Sequence, residues 1–238
     1  MRRNALAACS LAAALLVTGA AATESAAATA MVDPAPQDCP READRPTPDD
    51  LKKYYCGFKE LGPATLPAGQ PVAALLKDYR RFGGLTPDDF LKWYREGLNW
   101  KYPANNGFRD DGDKFDETVV SLPTGKLLDR FGENSGGFLA DAGTSFAQRS
   151  LTPQSLDYEV DQKPTSGYHC FSVLNPFSVQ EGHIAAAYAQ PGNGVQQWLD
   201  PALTPKELKD AGEKFSPENL IKHHYLQEEK PETCAATG

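Results

Sequence analysis

The sequence predicts an α+β fold, in which a small helical N-terminal region precedes a compact, mostly antiparallel or mixed β-sheet domain with few helices. Before residue 99, apolar residues recur at helical spacing. Two Thr-Pro-Asp-Asp motifs, beginning at Thr47 and Thr86, are typical helix starts, because proline suits the first helical position. After Trp100, glycine and proline become dense, and short β-rich runs alternate with turn signals.

Three helices are predicted in the N-terminal region. The first begins after Thr47 and continues through Tyr55. The second spans Pro71–Phe82, whose apolar residues follow the helical period. The third begins after Thr86 and continues to Leu98. We expect the apolar stripes of these helices to form core or packing surface.

The remaining elements are predicted in the second part of the chain. Three β-rich runs, Thr118–Leu122, Tyr168–Val173 and His183–Tyr188, are bounded by turn residues and are typical of short strands. A last short helix is expected over Pro217–Tyr225, with Ser216 as its N-cap.

The N-terminus has the layout of a secretory signal peptide. A basic start, Met1–Arg3, precedes the apolar stretch Ala5–Val17, and small residues follow it. We therefore expect a signal peptide over residues 1–30, an extended lead-in and helical region over 31–99, and the sheet domain over 100–238. No later stretch approaches the roughly 18 apolar residues of a membrane span, so a secreted protein without a membrane partner is expected.

Charge narrows the choice of partner. The chain has 24 Lys and Arg against 32 Asp and Glu, a formal net charge of -8. Nucleic acid is an unfavourable partner for an acidic protein, because phosphate backbones bind basic surfaces. An anionic ligand would need a local arginine cluster to hold it against the overall field.

The number of cysteines is consistent with an exported protein. Cys9 lies in the predicted signal peptide, which leaves four cysteines that allow three pairings. In an oxidising compartment two disulfides are the default. Cys39–Cys56 is the favoured short loop, which leaves Cys170–Cys234, and the other pairings stay open.

Four residues are candidates for the chemistry. Arg130 and Arg149 lie among glycines and carry planar guanidinium groups that match phosphate oxygens. Phe131 follows Arg130 and could stack on a flat ring, or could simply be core. Gln196 follows a Pro-Gly-Asn-Gly turn and can present its amide to a ligand. Gln197 is its rival and would point to the opposite face of a strand.

Other types of site find less support. The sequence has no Gly-x-Ser-x-Gly elbow, no Walker loop and no Gly-x-Gly-x-x-Gly. No cysteine pair has the spacing of a zinc site. The acidic cluster at residues 110–117 lacks the EF-hand order, so a solvated turn is favoured over a calcium loop.

Several short motifs, in order, resemble a known family. They are WKYPANNGF at Trp100–Phe108, LDRFG at Leu128–Gly132, GFLA at Gly137–Ala140, RSL at Arg149–Leu151 and QPGNGVQ at Gln190–Gln196. Together they are similar to the tuberculosis necrotizing toxin-like domain, and more closely to the secreted fungal NAD glycohydrolases that carry it.

This resemblance implies cleavage of the nicotinamide–ribose bond of NAD+, with NADP+ as an alternative substrate. It implies that Arg130, Phe131, Arg149 and Gln196 line the pocket, that NAD is substrate rather than cofactor, and that no cofactor is required. Relatives can bind calcium near the C-terminus, where Asp210, Glu213 and Glu218 are candidates. An ADP-ribosyltransferase, a non-catalytic binding module and a homodimer stay open.

Overall fold

The structure, a computed structural model, describes residues 39–40, 46–112, 114–160, 163–165 and 167–235. The predicted signal peptide and most of the lead-in before residue 46 lie outside the described residues. Across the described ranges, no helix combines the length and the apolar character that a membrane crossing requires.

A seven-stranded sheet organises the described chain. Every neighbouring pair of its strands is antiparallel, in the order β11-β8-β4-β5-β10-β9-β3. The predicted α+β class with a mostly antiparallel sheet is therefore confirmed. The strands of this sheet are β3 (Thr118–Leu122), β4 (Leu127–Phe131), β5 (Phe138–Asp141), β8 (Tyr168–Val173), β9 (Phe177–His183), β10 (Val195–Trp198) and β11 (Leu226–Glu229).

Helices and two small hairpins complete the described part of the chain. The hairpins are β1 (Arg95–Glu96) with β2 (Asn99–Trp100), and β6 (Tyr158–Val160) with β7 (Lys163–Thr165). The helices in the described ranges are short: α1 (Pro48–Lys53), α2 (Val72–Leu75), α3 (Pro87–Tyr94), α4 (Lys206–Asp210), α5 (Pro217–Lys222) and α6 (Pro231–Ala235).

The two faces of the sheet pack against different elements. Because side chains alternate along a strand, Leu128 and Phe131 of β4 point to opposite faces. Leu128 joins a core cluster with Leu208 of α4 and Leu220 of α5, so we call its side the α4–α5 face. Phe131 joins a cluster with Leu75 of α2, and its side is the α2 face.

The predicted N-terminal helices are partly confirmed. Helix α1 begins after Thr47, whose side chain and that of Asp50 form a reciprocal capping box. The predicted helix Pro71–Phe82 is wrong beyond its first turn. The carbonyl of Leu75 accepts the N–H of Phe146 at 2.9 Å, and the N–H of Tyr79 bonds Leu76, so α2 ends there and turns follow. Tertiary hydrogen bonds therefore override the helical spacing.

Two other boundaries differ from the predictions. Helix α3 ends at Tyr94 rather than Leu98, because the chain turns at Gly97, with φ of 59°, into the β1–β2 hairpin. The predicted strand His183–Tyr188 is wrong, since β9 ends at His183. The following N–H groups bond to loops instead, Ile184 to Gly194 and Ala185 to Gly107.

The remaining predicted elements are confirmed. Strands β3 and β8 have the predicted bounds, and Ser216 caps α5, which ends three residues earlier than predicted. The favoured disulfides, Cys39–Cys56 and Cys170–Cys234, are the two that the structure contains in its described part. The second joins β8 to α6, as expected for a bond that ties the C-terminal segment to a core strand.

Candidate active site

A row of residues crosses the α2 face, and its polar members are Asp129 and the predicted site residue Gln196. Asp129 of β4 pairs with Ala140 of β5, Ala140 pairs with Gln196 of β10, and Gln196 pairs with Gly182 of β9. Asp129 and Gln196 are therefore two strands apart, about 10 Å at the usual strand spacing. Ala140 and Gln196 are buried, and the backbone of Asp116 covers Gly182, where an added Cβ would lie 1.7 Å from its carbonyl oxygen.

Arg149 lies at the Asp129 end of this row. It belongs to a single 3₁₀ turn, Ala147–Arg149, and its side chain is 4% exposed. Its Nε and Nη2 donate to the carbonyl oxygen of Thr144 at 2.9 and 2.7 Å. Nη2 also lies 2.6 Å from Asp129 Oδ1 as an ion pair. The remaining nitrogen, Nη1, bonds no described residue and is not sealed from solvent, so one edge stays available to a ligand.

Asp129 is the buried anion of this arrangement. Its Oδ2 accepts the hydroxyl of Tyr168 at 2.8 Å and the N–H of Gly143 at 3.1 Å. Burial raises the pKa of Asp129 above its ordinary value, while the Arg149 guanidinium and the two hydrogen bonds oppose that rise. Burial likewise raises the pKa of Tyr168, so this hydroxyl remains a donor. Asp129, fixed by Tyr168 and Gly143, holds Arg149 in one orientation.

Gln196 lies at the other end of the row. Its Nε2 donates to the carbonyl oxygen of Asn106 at 3.0 Å. Its Oε1 bonds no described residue and is not sealed from solvent, so it can accept a hydrogen bond. Asn106 and Asn105 both adopt positive φ, 54° and 47°, in the loop that covers Gln196. Strained backbone of this kind persists where surrounding structure fixes it, often at functional sites.

Phe131 lies beneath Arg149. Its ring meets the rings of Phe146 and Tyr168 at centroid distances of 5.0 and 5.1 Å, and the Arg149 guanidinium carbon lies 5.3 Å from its centre. The side chain is buried in the α2-face core. A role in stacking on a ligand therefore stays a prediction, and the contacts described here are with protein.

Arg130 is the predicted residue that lies apart from the others. As the neighbour of both Asp129 and Phe131 in an extended strand, it points to the α4–α5 face. Its Nη1 donates to the carbonyl oxygen of Phe138 at 3.2 Å. The loop 132–137 closes over it, since a Cβ added to Gly136 would lie 2.3 Å from Nη2. The structure thus brings Arg149, Phe131 and Gln196 to one face and places Arg130 on the other.

Gln197 faces away from Gln196, as predicted for the next residue of a strand. It is fully buried on the α4–α5 face, and its Nε2 donates to Asp141 at 2.8 Å and Glu181 at 2.9 Å. Lys126 pairs with Asp141 at 2.8 Å. This network links β5, β9 and β10 with Lys126, the residue before β4. It satisfies the amide nitrogen of Gln197, whereas the buried Oε1 has no hydrogen-bond partner among the described residues.

Acidic side chains of the described ranges 110–112 and 114–117, and the C-terminal candidates Asp210 and Glu213, pair with basic groups of the protein. Arg109 bridges Asp111 and Asp116, each at 2.9 Å, and His183 approaches Asp116 at 2.6 Å. Glu213 accepts from Lys222 and His223, while Asp210 pairs with Lys206. In the described ranges, no three His, Cys, Asp or Glu side chains are grouped to hold a metal ion.

Two clefts lie near this face. The first, about 470 Å³, is lined by Lys52, the segment Pro67–Val72 and Tyr168. The second, about 440 Å³, lies between the β1–β2 hairpin and the segment 152–155, and we call it the hairpin cleft. Neither is lined by Arg130, Phe131, Arg149 or Gln196. The row on the α2 face therefore lies outside the lining of both clefts, and its members Asp129, Ala140 and Gln196 are buried.

This arrangement suits an elongated anionic ligand. The Arg149 guanidinium beside Asp129 can bind phosphate oxygens, and the amide oxygen of Gln196, two strands from Asp129, can accept from hydroxyl groups. Of these residues, sequence reasoning missed Asp129, Tyr168 and Asn106. Asp129 could have been suspected from its position beside Arg130, whereas Tyr168 and Asn106 join the site only through cross-chain contacts.

The fold defines a small α+β domain, and the α2 face of its sheet carries the candidate site. Residues 121–228 match the family model described as Tuberculosis necrotizing toxin, so the predicted resemblance is confirmed.

One curated relative is the conidial surface nicotinamide adenine dinucleotide glycohydrolase nadA of Aspergillus fumigatus. It is 39% identical over 150 residues, which cover 60% of this chain and 63% of the relative. The chain therefore spans less than two thirds of that protein's length.

Solved structures with some likeness come from complexes with an immunity factor or an immunity protein. One is tuberculosis necrotizing toxin complexed with its immunity factor IFT, with 20% identity, a TM-score of 0.40, and coverage of 84% of this chain and 96% of that chain. Another is Rhs1-CT in complex with its cognate immunity protein RhsI1, with 14% identity, a TM-score of 0.27, and coverage of 38% and 76%.

Proposed function

We propose that this protein is an NAD+ glycohydrolase, which adds water across the nicotinamide–ribose bond and releases nicotinamide and ADP-ribose. The observation that carries the proposal is the 39% identity, over 150 residues, with a relative whose name states this activity. NADP+ is included as an alternative substrate.

The proposed mechanism rests on positioning. Nicotinamide in NAD+ is a cationic leaving group: when the ribosyl C–N bond breaks, its electron pair neutralises the ring nitrogen, so no acid is needed to protonate it. Water then attacks the ribosyl carbon, and its proton passes to solvent. Holding the substrate in a reactive orientation supplies much of the rate in such reactions. We propose that the chain needs no resident cofactor for this chemistry.

Arg149 and Gln196 have the strongest structural support for contact with substrate. Both have an open polar atom on the α2 face, Nη1 of Arg149 and Oε1 of Gln196. In the proposal, Arg149 binds the diphosphate and Gln196 accepts from the ribose or the incoming water. For Arg130 as a second diphosphate contact and Phe131 as the ring that packs on nicotinamide, the support is the family resemblance alone.

We further propose that the protein is secreted. Two disulfides in the described chain fit an oxidising compartment, and the name of the fungal relative places that protein on the conidial surface. Residues 31–99 and 100–238 are proposed as the helical region and the catalytic domain. A homodimer is part of the proposal, to be tested by sedimentation of the mature protein.

The deciding experiment incubates the purified, oxidised protein with NAD+ labelled in its adenylate half, with calcium present, and separates the products. Nicotinamide and free ADP-ribose in equal amounts would support the glycohydrolase. Release of nicotinamide with the label bound to protein would show that the activity is that of an ADP-ribosyltransferase and not of a glycohydrolase. Intact NAD+ that co-purifies with the protein would replace it with a binding module. Arg149→Ala serves as the control for a contaminating activity.

A further inference from the structure

The hairpin cleft beside the candidate site has an aromatic and polar lining of its own. Arg95, Trp100 and Tyr102 line one side of it, and Thr152, Gln154 and Ser155 line the other. With a volume of about 440 Å³, the cleft is large enough for a small aromatic ligand, because binding pockets for such ligands start near 300 Å³.

The two aromatic residues of the cleft have different surroundings. Trp100 is fixed, since its Nε1 donates to Gln154 Oε1 at 3.1 Å and its ring contacts those of Phe90 and Tyr188. Tyr102 is 75% exposed and presents its ring to solvent. An exposed ring beside amide and hydroxyl groups is the usual setting for stacking a flat heterocycle and bonding its edge.

Chain connectivity keeps this cleft close to the candidate site. Thr152 follows Arg149 by three residues, so their Cα atoms lie within about 11 Å. Tyr102 precedes Asn106 by four residues, within about 15 Å, and the carbonyl of Asn106 accepts from Gln196. The backbone N–H of Ala187 also donates to the Ser150 hydroxyl at 3.3 Å. This bond joins the loop after β9 to the segment that contains Arg149 and Thr152.

We propose that the hairpin cleft is the subsite for the adenine ring of the dinucleotide, with Tyr102 as the side chain on which the ring stacks. The inference rests on the proposed function, because one substrate would occupy both the α2 face and the cleft. Contact with this remote, unreacting half would supply binding energy that orients the nicotinamide half.

The test uses AMP as the probe, together with NAD+ turnover. We expect Tyr102→Ala to weaken AMP binding, measured by calorimetry, by about five- to a hundredfold, the range found when a stacking ring is removed. We expect the KM for NAD+ to rise by a similar factor. Tyr102→Phe keeps the ring and should retain both values. Trp93→Ala removes an aromatic that is 69% exposed and does not line the cleft, and it should change neither.

The two readouts separate failure of the subsite from failure of the proposed function. If NAD+ is cleaved while AMP binding and the KM are unchanged in Tyr102→Ala, the subsite is wrong and the activity stands. If NAD+ stays intact while AMP binds in a Tyr102-dependent way, the activity is wrong and the subsite stands. No AMP binding by the unaltered protein, or an equal loss in Trp93→Ala, would also overturn the subsite.

Discussion

At the scale of single residues, Arg149 shows how the fold prepares a charged group for a ligand. A buried guanidinium without a partner would be strongly destabilising, and Asp129 at 2.6 Å offsets that penalty. The contacts with Asp129 and the Thr144 carbonyl fix Nε and Nη2 of Arg149, whereas Nη1 bonds no described residue. Under the proposed function, a ligand phosphate would meet a donor whose direction is already set, which would reduce the entropy lost on binding.

Arg149 and Gln196 can be tested directly. We expect Arg149→Ala and Gln196→Ala each to lower kcat/KM for NAD+ by at least about a hundredfold, the size typical of losing one positioned polar group. The measurement is the initial rate of nicotinamide release, with circular dichroism to confirm folding.

Matched controls exist for both substitutions. Arg80 is an exposed arginine after α2, and Gln227 is an exposed glutamine on β11. Arg80→Ala and Gln227→Ala should retain activity. Near-normal turnover in both site variants would show that neither side chain contacts the substrate.

At the scale of elements, the loop 132–137 determines where Arg130 lies. A Cβ at Gly136 would lie 2.3 Å from Arg130 Nη2, whereas a Cβ at Gly137 would meet nothing within 4 Å. Gly136→Ala must therefore displace the guanidinium, and Gly137→Ala need not.

This pair of glycines gives a test of the predicted role of Arg130. If Arg130 contributes to binding or turnover, we expect Gly136→Ala to lower kcat/KM for NAD+ by about tenfold, the effect of losing an interaction of about 1.4 kcal/mol. Gly137→Ala should match the unaltered protein. Equal rates in the two variants would remove Arg130 from the site.

The end of β9 gives a test of pH dependence. The hydrogen bond from His183 is the main cause that lowers the pKa of Asp116 below 3.8, and Arg109 adds to it. A lowered carboxyl pKa contributes stability that is present above the unfolded value and is lost as pH falls through the folded value.

We therefore expect the thermal midpoint of the unaltered protein to fall more steeply below pH 3.8 than that of Asp116→Asn. At pH 6 the variant should melt at a lower temperature. The measurement is thermal unfolding between pH 6 and pH 3, with the exposed Asp78→Asn as control. Parallel pH profiles for Asp116→Asn and the unaltered protein would contradict this account.

At the scale of the whole molecule, the disulfides differ in what they constrain. Cys170–Cys234 spans 64 residues and links α6 to β8, the second strand from one edge of the sheet, whereas Cys39–Cys56 spans 17 residues in the N-terminal region. Chain entropy assigns about 4 kcal/mol of stability to the longer loop and about 3 kcal/mol to the shorter one.

We expect Cys170→Ser with Cys234→Ser to lower the free energy of unfolding more than Cys39→Ser with Cys56→Ser. The longer bond also lies beside Asp129, which pairs with Cys170 across β4 and β8. Its loss should therefore reduce NAD+ turnover at temperatures where the other double variant keeps it. Urea unfolding and activity assays of both variants test this order, and the reverse order would contradict it.

Much of the architecture was predictable because its signals are local. The capping motifs at Thr47 and Thr86 fixed two helix starts, and the turn-bounded runs fixed β3 and β8. Where non-local hydrogen bonds compete, as at Leu75 and after His183, the local pattern failed. The periodicity of a sequence shows which side chains are apolar. It does not show which distant N–H group will hydrogen-bond to a given backbone carbonyl.

The sequence by itself determined the α+β class, the favoured disulfide pairing, the family resemblance and four candidate residues. Only the tertiary structure decided which of these share a face. Alternation along β4 separates Arg130 from Phe131, and strand register places Asp129 in one row with Gln196. Register depends on pairing between distant segments, so the order of motifs along the chain could reveal the set of site residues and could not reveal their arrangement.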